Sequence, residues 1–281
     1  VTALLEEAVK VNPTDQSLRV ALIDHHVGGG DYKAALAASQ GALARLPENP
    51  DLLGRLGQAQ LRTGDHQQAL NTYNRMAALQ PKSPVGYLGA AEAQLQANDV
   101  PAASRSIKKA QEVAPDHLPT LQMAMRMALK QRQPDQARAI AREVQKQRPD
   151  DALGYLLEGE VELSIKRPDA AVPVLRKAIG KANPAQAPER LHMALRMSGK
   201  AAEADALATS WLQSHPDDLL FSFYLGDVAM GQKNYPLAES RYQAVLKLSP
   251  EHPLSLNNVA WLMMAQKKPG ALDFAERAVR A

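Results

Sequence analysis

Seven histidines are the side chains best suited to ligand or acid–base chemistry: His25, His26, His66, His117, His192, His215 and His252. Zinc needs several such ligands to converge, commonly two of them four residues apart on one helix face. No two histidines have that spacing, and no HExxH occurs. They read as surface or packed side chains, mostly near helix ends. Gly28-Gly29-Gly30 could offer backbone N–H groups to a phosphate. It lacks the Lys-Ser/Thr of a phosphate loop and follows a helical pattern, so it reads as a turn. Carboxylates number 30, and none is set apart as an acid–base pair. With no cysteine, disulfides and thiolate metal sites are excluded. The expectation is a non-enzyme with no catalytic, cofactor-binding or metal-binding residue.

The elements that carry these residues follow a fixed beat. Pro13, Pro47, Pro81, Pro115 and Pro149 stand 34 residues apart, as do Ala35, Ala69, Ala103, Ala137 and Ala171. Within 50–83, Leu53, Leu56, Gly57, Ala59 and Leu61 mark one buried helical face. Thr63-Gly64-Asp65 interrupts. Gly64 allows the positive φ that ends a helix, and Asp65 can cap the next. Ala69, Leu70, Tyr73, Met76, Ala77 and Leu79 form the second face, and Pro81 stops it. The small pair Gly57 and Ala69 suggests close approach of the two helices.

This unit resembles the tetratricopeptide repeat (TPR), two antiparallel helices with small residues at positions 8 and 20 and Pro at 32. The chain divides as 16–49, 50–83, 84–117, 118–151, 152–184, 185–218, 219–252 and 253–281. Position 8 reads Ile23, Gly57, Ala91, Met125, Gly159, His192, Gly226 and Ala260. Position 20 reads Ala35, Ala69, Ala103, Ala137, Ala171, Ala204, Ala238 and, after a one-residue deletion, Ala271. The resemblance implies an all-α right-handed superhelical solenoid of eight repeats. Residues 1–12 add the second helix of a further repeat. The expectation is one solenoid over 1–281, a fragment of a longer chain. The stretch 180–188 is breaker-rich and irregular in period. It reads as a longer loop or as a bend separating 1–183 from 184–281, with a short helix over 188–198.

Composition bounds the partners. Lys and Arg total 33 against 30 Asp and Glu, a net charge of +3 spread along the chain. A nucleic-acid binder would cluster its basic residues, so none is expected as partner. No run of 18 apolar residues exists, so no membrane span is expected.

In TPR proteins, positions 2, 5, 9, 12 and 13 of the first helices line a concave groove that takes a protein or peptide. Position 12 reads Val27, Leu61, Leu95, Leu129, Leu163, Arg196, Met230 and Met264. Position 9 reads Asp24, Gln58, Glu92, Arg126, Glu160, Met193, Asp227 and Trp261. An apolar row thus runs beside a row of mixed charge. The apolar row either contacts a peptide or packs against the neighbouring helix. The carboxylate clamp of chaperone-binding TPR domains needs Lys and Asn at positions 5 and 9, and position 5 holds no Lys. The asparagine ladder of protein O-glycosyltransferases needs Asn at position 6, where only Asn258 stands. The densest large-apolar groove set falls in the last two repeats. It gives Leu220, Phe223, Asp227, Met230, Asn257, Trp261 and Met264 as candidate partner-binding residues.

The stretch 252–262, HPLSLNNVAWL, with 270–278, GALDFAERA, is similar to bacterial TPR-repeat lipoproteins encoded with PEP-CTERM sorting and exopolysaccharide systems. That resemblance implies an exported interaction scaffold for exopolysaccharide or surface-protein assembly, periplasmic or associated with the outer membrane. Two alternatives remain open: a cytoplasmic peptide-binding adaptor or co-chaperone, and the substrate-recruiting arm of an enzyme whose catalytic domain lies elsewhere.

Overall fold

The computed structural model describes residues 1–184 and 186–281, and the chain divides into two compact units, 1–140 and 141–281. The first unit holds α1 (Thr2–Val11), α2 (Gln16–Gly28), α3 (Tyr32–Leu43), α4 (Pro50–Arg62), α5 (His66–Leu79), α6 (Pro84–Gln96), α7 (Val100–Val113) and α8 (Leu118–Lys130). The boundary falls inside α9 (Pro134–Gln147). The second unit continues with α10 (Leu153–Ser164), α11 (Pro168–Ile179), α12 (Ala187–Met197), α13 (Ala201–Ser214), α14 (Leu219–Gly231), α15 (Tyr235–Leu248), α16 (Pro253–Ala265) and α17 (Ala271–Arg280). The architecture is an all-α helical repeat. Among the described residues the one β-type pairing is a single bridge between Asp151 and Ala182. The short α12 begins at Ala187 with Pro188 in its first turn. The irregular stretch 180–188 includes Ala185, which lies outside the described residues.

One turn geometry recurs in every repeat. Position 15 has positive φ in all eight: Gly30, Gly64, Asn98, Arg132, Lys166, Gly199, Lys233 and Lys267. The N–H of position 16 then reaches back to the carbonyl of position 11, as in Asp65 to Gln60, Arg167 to Glu162 and Lys268 to Met263, each at 2.8 Å. This is the six-to-one hydrogen bond of a Schellman helix end. A left-handed conformation costs a side-chain-bearing residue about 1–2 kcal/mol. Five of the eight positions bear that cost, so the turn is imposed by the packing of the helices it joins. Position 16 often starts the second helix with its side chain: Asp31, Asp65, Asp99 and Asn234 each accept from a backbone N–H three residues on.

Packing within a repeat turns on positions 8 and 24. A Cβ at Gly57 would lie 2.6 Å from the Tyr73 ring; at Gly159, 2.4 Å from Leu175; at Gly226, 2.5 Å from Tyr242. The glycine on the first helix therefore makes room for a large side chain from the second. Gly57 serves the ring of Tyr73, a finer reason than closeness of the two helices. Elsewhere the volumes trade places. Ala91 accompanies Ile107, while Ile23 accompanies Ser39 and His192 accompanies Ala208, all buried. Within each pair one large side chain fills the space, on one helix or the other. Direct backbone contact occurs between successive repeats instead. A Cβ at Gly86 would lie 2.6 Å from the Ala77 nitrogen, and one at Gly154 2.6 Å from the Gln145 nitrogen.

The alanines of position 20 are fully buried from Ala35 through Ala238. Ala271 differs. It opens α17 and is half-buried, where a five-residue link over 266–270, ending in Gly270 at φ 93°, stands in place of the three-residue turn of the other repeats.

The contact between positions 8 and 24 predicts a non-additive mutant cycle. Gly159→Ala alone costs about 1–3 kcal/mol by overpacking, and Leu175→Ala alone costs about 2–5 kcal/mol by leaving a cavity. Together they cost less than their sum by at least about 0.5 kcal/mol, because the new methyl enters the vacated space. Chemical denaturation of the four proteins measures this, and strict additivity would remove the contact.

Candidate functional site

In the first unit, α4, α6 and α8 line a groove of about 700 Å³. Its lining follows the repeat register. Asp51, Gly54, Gln58, Leu61 and Arg62 come from positions 2, 5, 9, 12 and 13 of one repeat, and Val85, Leu88, Glu92 and Gln96 from positions 2, 5, 9 and 13 of the next. Tyr73 and Met76 of α5 rise between them as a buried floor. Tyr73 reaches this place because two glycines admit it. Gly57 lies on one side, and a Cβ at Gly89 on the other would stand 2.2 Å from the ring. A second hollow of about 410 Å³ shares Glu92, Gln96 and Met123 with the first and extends to Leu95, Arg126 and Lys130.

The charges on the groove are partly engaged. Arg55 of α4 donates to both carboxylate oxygens of Asp24 on α2, at 2.8 and 2.9 Å, a bidentate pair joining adjacent repeats. This hydrogen bonding holds the Arg55 pKa above its usual range. Arg62 lies over the ring of Tyr32 at 5.3 Å. Burial, with the Glu92 charge adding to it, pushes the Tyr73 hydroxyl far above its usual range. The hydroxyl stays a neutral donor and sits 3.5 Å from the Gly54 carbonyl. The side chains of Gln58, Glu92 and Gln96 are exposed and make no hydrogen bond or ion pair among the described residues.

The two rows of the groove separate by exposure. Asp24, Gln58, Glu92, Arg126, Glu160, Asp227 and Trp261 at position 9 face solvent, and Met193 is half-buried. At position 12, Leu61 is buried, Val27, Leu95, Leu129, Leu163, Arg196 and Met230 are half-buried, and Met264 is exposed. The apolar row is thus chiefly a floor, as packing against a neighbouring helix requires.

The seven C-terminal candidates fall into two groups. Leu220 is 68% exposed, Trp261 48% and Met264 69%, and Asn257 also faces solvent. Trp261 meets Tyr235 edge-on at 5.8 Å. Phe223 is half-buried between Tyr242 and His252, with ring centroids 5.4 Å from each. Met230 packs on the cluster built around Ala229, Tyr242 and Val259. Asp227 is exposed but accepts the Tyr242 hydroxyl at 2.6 Å. What position alone did not reveal is the groove of the first unit. Its volume depends on Gly54, where the repeat pattern would place a larger side chain.

Several histidines serve helix ends. His252 caps α16 by accepting from the Ser255 N–H at 3.2 Å, His117 bonds Thr120 at 2.8 Å, and His215 stacks on Trp211 at 3.8 Å. His192 is the exception, in mid-helix and 1% exposed. Burial lowers its pKa from the usual 6.5 to about 4; Arg196 reinforces the shift and Asp205 opposes it. Below about pH 6.5 the unfolded chain binds a proton that the folded chain refuses until about pH 4. Stability therefore falls as pH drops through that window and is independent of this group above it. Denaturation midpoints of the native chain and His192→Gln, compared from pH 7.5 to 4.5, should show a shallower acid slope in the variant. Equal slopes would mean that His192 does not sense the burial.

The wider comparisons agree with this architecture. One tetratricopeptide repeat model matches residues 26–86 and 61–128, and a second matches 124–188, 193–253 and 225–281. No curated protein matches the chain. Among solved structures, a tetratricopeptide repeat protein from Parabacteroides merdae is 16% identical, with a TM-score of 0.54 over 87% of this chain and 97% of its own. A thermophilic TPR protein from Thermus thermophilus is 23% identical, with a TM-score of 0.50 over 64% of this chain and 99% of its own. Likeness at such identities concerns the fold. With repeat models matching most of its length and the repeat geometry present in each of its eight units, the chain belongs to the tetratricopeptide repeat family.

Proposed function

We propose that the chain is a non-enzymatic scaffold holding a partner polypeptide in the groove of α4, α6 and α8. The observation that carries this reading is the set Gln58, Glu92 and Gln96. These polar side chains have no partner among the described residues and stand beside an apolar floor of Leu61, Tyr73 and Met76. A peptide presents N–H and C=O groups along its length, and a primary amide can answer both. Asp51, Glu92, Arg62, Arg126 and Lys130 mix both signs along the two hollows, which suits a peptide of mixed charge better than a polyanion.

Within this class the reading extends to a segment of an exported bacterial protein that serves exopolysaccharide or surface-protein assembly. Its support is the sequence resemblance of 252–262 and 270–278. Leu220, Asn257, Trp261 and Met264 offer a second contact surface, with Phe223, Asp227 and Met230 beneath or beside it. Exposed Trp and Met suit a surface that adapts to a partner.

Gly54 provides the test of the groove. A Cβ there would meet Met76 Cε at 3.7 Å, an ordinary contact, so packing does not demand glycine. Gly54→Leu fills the floor and removes a helix-weakening residue, so stability holds or rises by about 0.5–1 kcal/mol. Peptides selected from a displayed library on the native chain should bind this variant at least tenfold more weakly. Unchanged binding would exclude the groove, and Trp261→Ala in the same assay reads the second surface. The export reading is tested separately by fractionating cells that make the parent protein. Recovery in the envelope fraction is expected, and recovery with soluble cytoplasmic proteins would overturn export while leaving the scaffold reading intact.

A further inference from the structure

In the second unit, a hollow of about 270 Å³ lies among α12, α13, α14 and α15. We propose that it is a binding site for a small oxyanion, a carboxylate or a phosphate group, held by Arg196 and Arg241 with His192 at its base.

The hollow originates in the reversal of volumes at positions 8 and 24. Where other repeats carry Tyr73, Ile107, Leu175 or Tyr242 at position 24, this repeat carries Ala208. Its large residue is His192 on the first helix, and both residues line the space. The imidazole does not fill what a larger side chain at 208 would fill.

The chemistry of the lining selects an anion. Two guanidinium groups from different repeats line the hollow, against a single carboxylate, Asp205. Asp205 forms no ion pair with either arginine. Arg241 is half-buried, and its side chain makes no hydrogen bond or ion pair among the described residues. Arg196 donates to Gln232, whose amide is turned with its oxygen toward the guanidinium. One positive charge is therefore in excess, and Arg241 offers a planar fork with no acceptor. Forked donors match carboxylate and phosphate oxygens in pairs. A volume below the usual range for drug-sized ligands limits the occupant to a small molecule or the end of a side chain.

His192 adds a ring nitrogen to the lining of the hollow. Its Nδ1 lies 3.0 Å from the Tyr224 hydroxyl, and its ring meets Tyr224 and Phe221 edge-on at 5.4 and 6.1 Å. Its Nε2 makes no hydrogen bond among the described residues. In the tautomer in which the Tyr224 hydroxyl donates to Nδ1, the ring proton sits on Nε2 and makes it a donor toward the hollow. A bound oxyanion would give that donor a partner. Thr209 also lines the hollow; its hydroxyl donates to the Asp205 carbonyl at 2.9 Å, leaving its lone pairs unused. A cation finds too little here. One carboxylate faces two arginines, and no cluster of metal-ligating side chains occurs among the described residues.

The test is a nuclear magnetic resonance titration of the isotopically labelled chain at constant ionic strength, with inorganic phosphate in one arm and succinate in the other. The His192 ring and the Arg241 Nε–H are the reporters. Saturable shifts of both in at least one arm are expected, and the arm saturating at lower concentration identifies the source of the oxyanion. Arg241→Gln and Arg196→Gln should each weaken binding at least tenfold. Asp205→Asn should tighten it several-fold by removing the opposing charge, a change that general damage to the fold would not produce. Arg45→Gln, on an exposed residue of the first unit, should change nothing. Shifts that stay linear in both arms overturn the proposal. So does equal weakening by Arg45→Gln, or binding indifferent to Arg241→Gln and Asp205→Asn.

Discussion

The contact between positions 8 and 24 is the constraint on which most of the helix pairs depend. Two helices joined by a three-residue turn leave a fixed space between them, and a folded interior cannot leave it empty or doubly filled. Tyr73, Leu175 and Tyr242 fill it from the second helix against glycine, Ile23 fills it from the first, and His192 enters it from the first and fills it in part. The strained turn residues follow from this. Once the side chain is seated, the helices stand where position 15 must turn left-handed, whatever its residue type. Arg132, Lys166, Lys233 and Lys267 adopt that conformation although glycine would do so without strain.

The candidate surfaces are by-products of the same fit. The Tyr73 ring fills the space between its own two helices and extends far enough to floor the groove, where Gly89 of the next repeat clears its path. Charged residues then need only line the exposed side of the first helices. The Arg55–Asp24 pair bridges repeats there and leaves Gln58, Glu92 and Gln96 unengaged. At His192 the fit is reversed, and the outcome is a polar recess in place of a filled interior. A single geometric rule, applied with different residues, thus yields an apolar floor in one place and a cationic recess in another.

Much of the architecture was legible in the residues because it is local and periodic. The proline beat, the buried alanines from Ala35 to Ala238 and the cap at Asp65 follow from helix geometry and backbone chemistry, and both act over a few residues. Position 8 was less legible. Ile23, Met125 and His192 look like departures from a small-residue rule when position 8 is considered alone. For Ile23 and His192 the rule becomes visible only when Ser39 and Ala208, sixteen residues on, are read with them. The left-handed residues were legible at Gly30, Gly64 and Gly199 and silent at Lys166 or Lys233, where a lysine gives no sign of its backbone angle. The groove of the first unit was least legible. It depends on space left by Gly54, and a missing side chain has no hydrophobic period. Phe223 and Met230 show the converse. Their repeat positions are groove positions, yet neighbouring rings and methyl groups half-cover them.

Reciprocal filling across positions 8 and 24 also sets the smallest piece of this chain that can be exchanged. A single helix transplanted between repeats would carry half of a matched pair. The first helix of 16–49 joined to the second helix of 50–83 would bring Ile23 against Tyr73. The first helix of 50–83 joined to the second of 16–49 would leave Gly57 facing Ser39 across a void. Recombination, whether natural or by design, is therefore quantised in whole hairpins. Crossovers are tolerated in the segment between one second helix and the next first helix, and are penalised at the tight turn inside a pair. A loop of three residues, the shortest link in the chain, is thus the least permissive place to cut it.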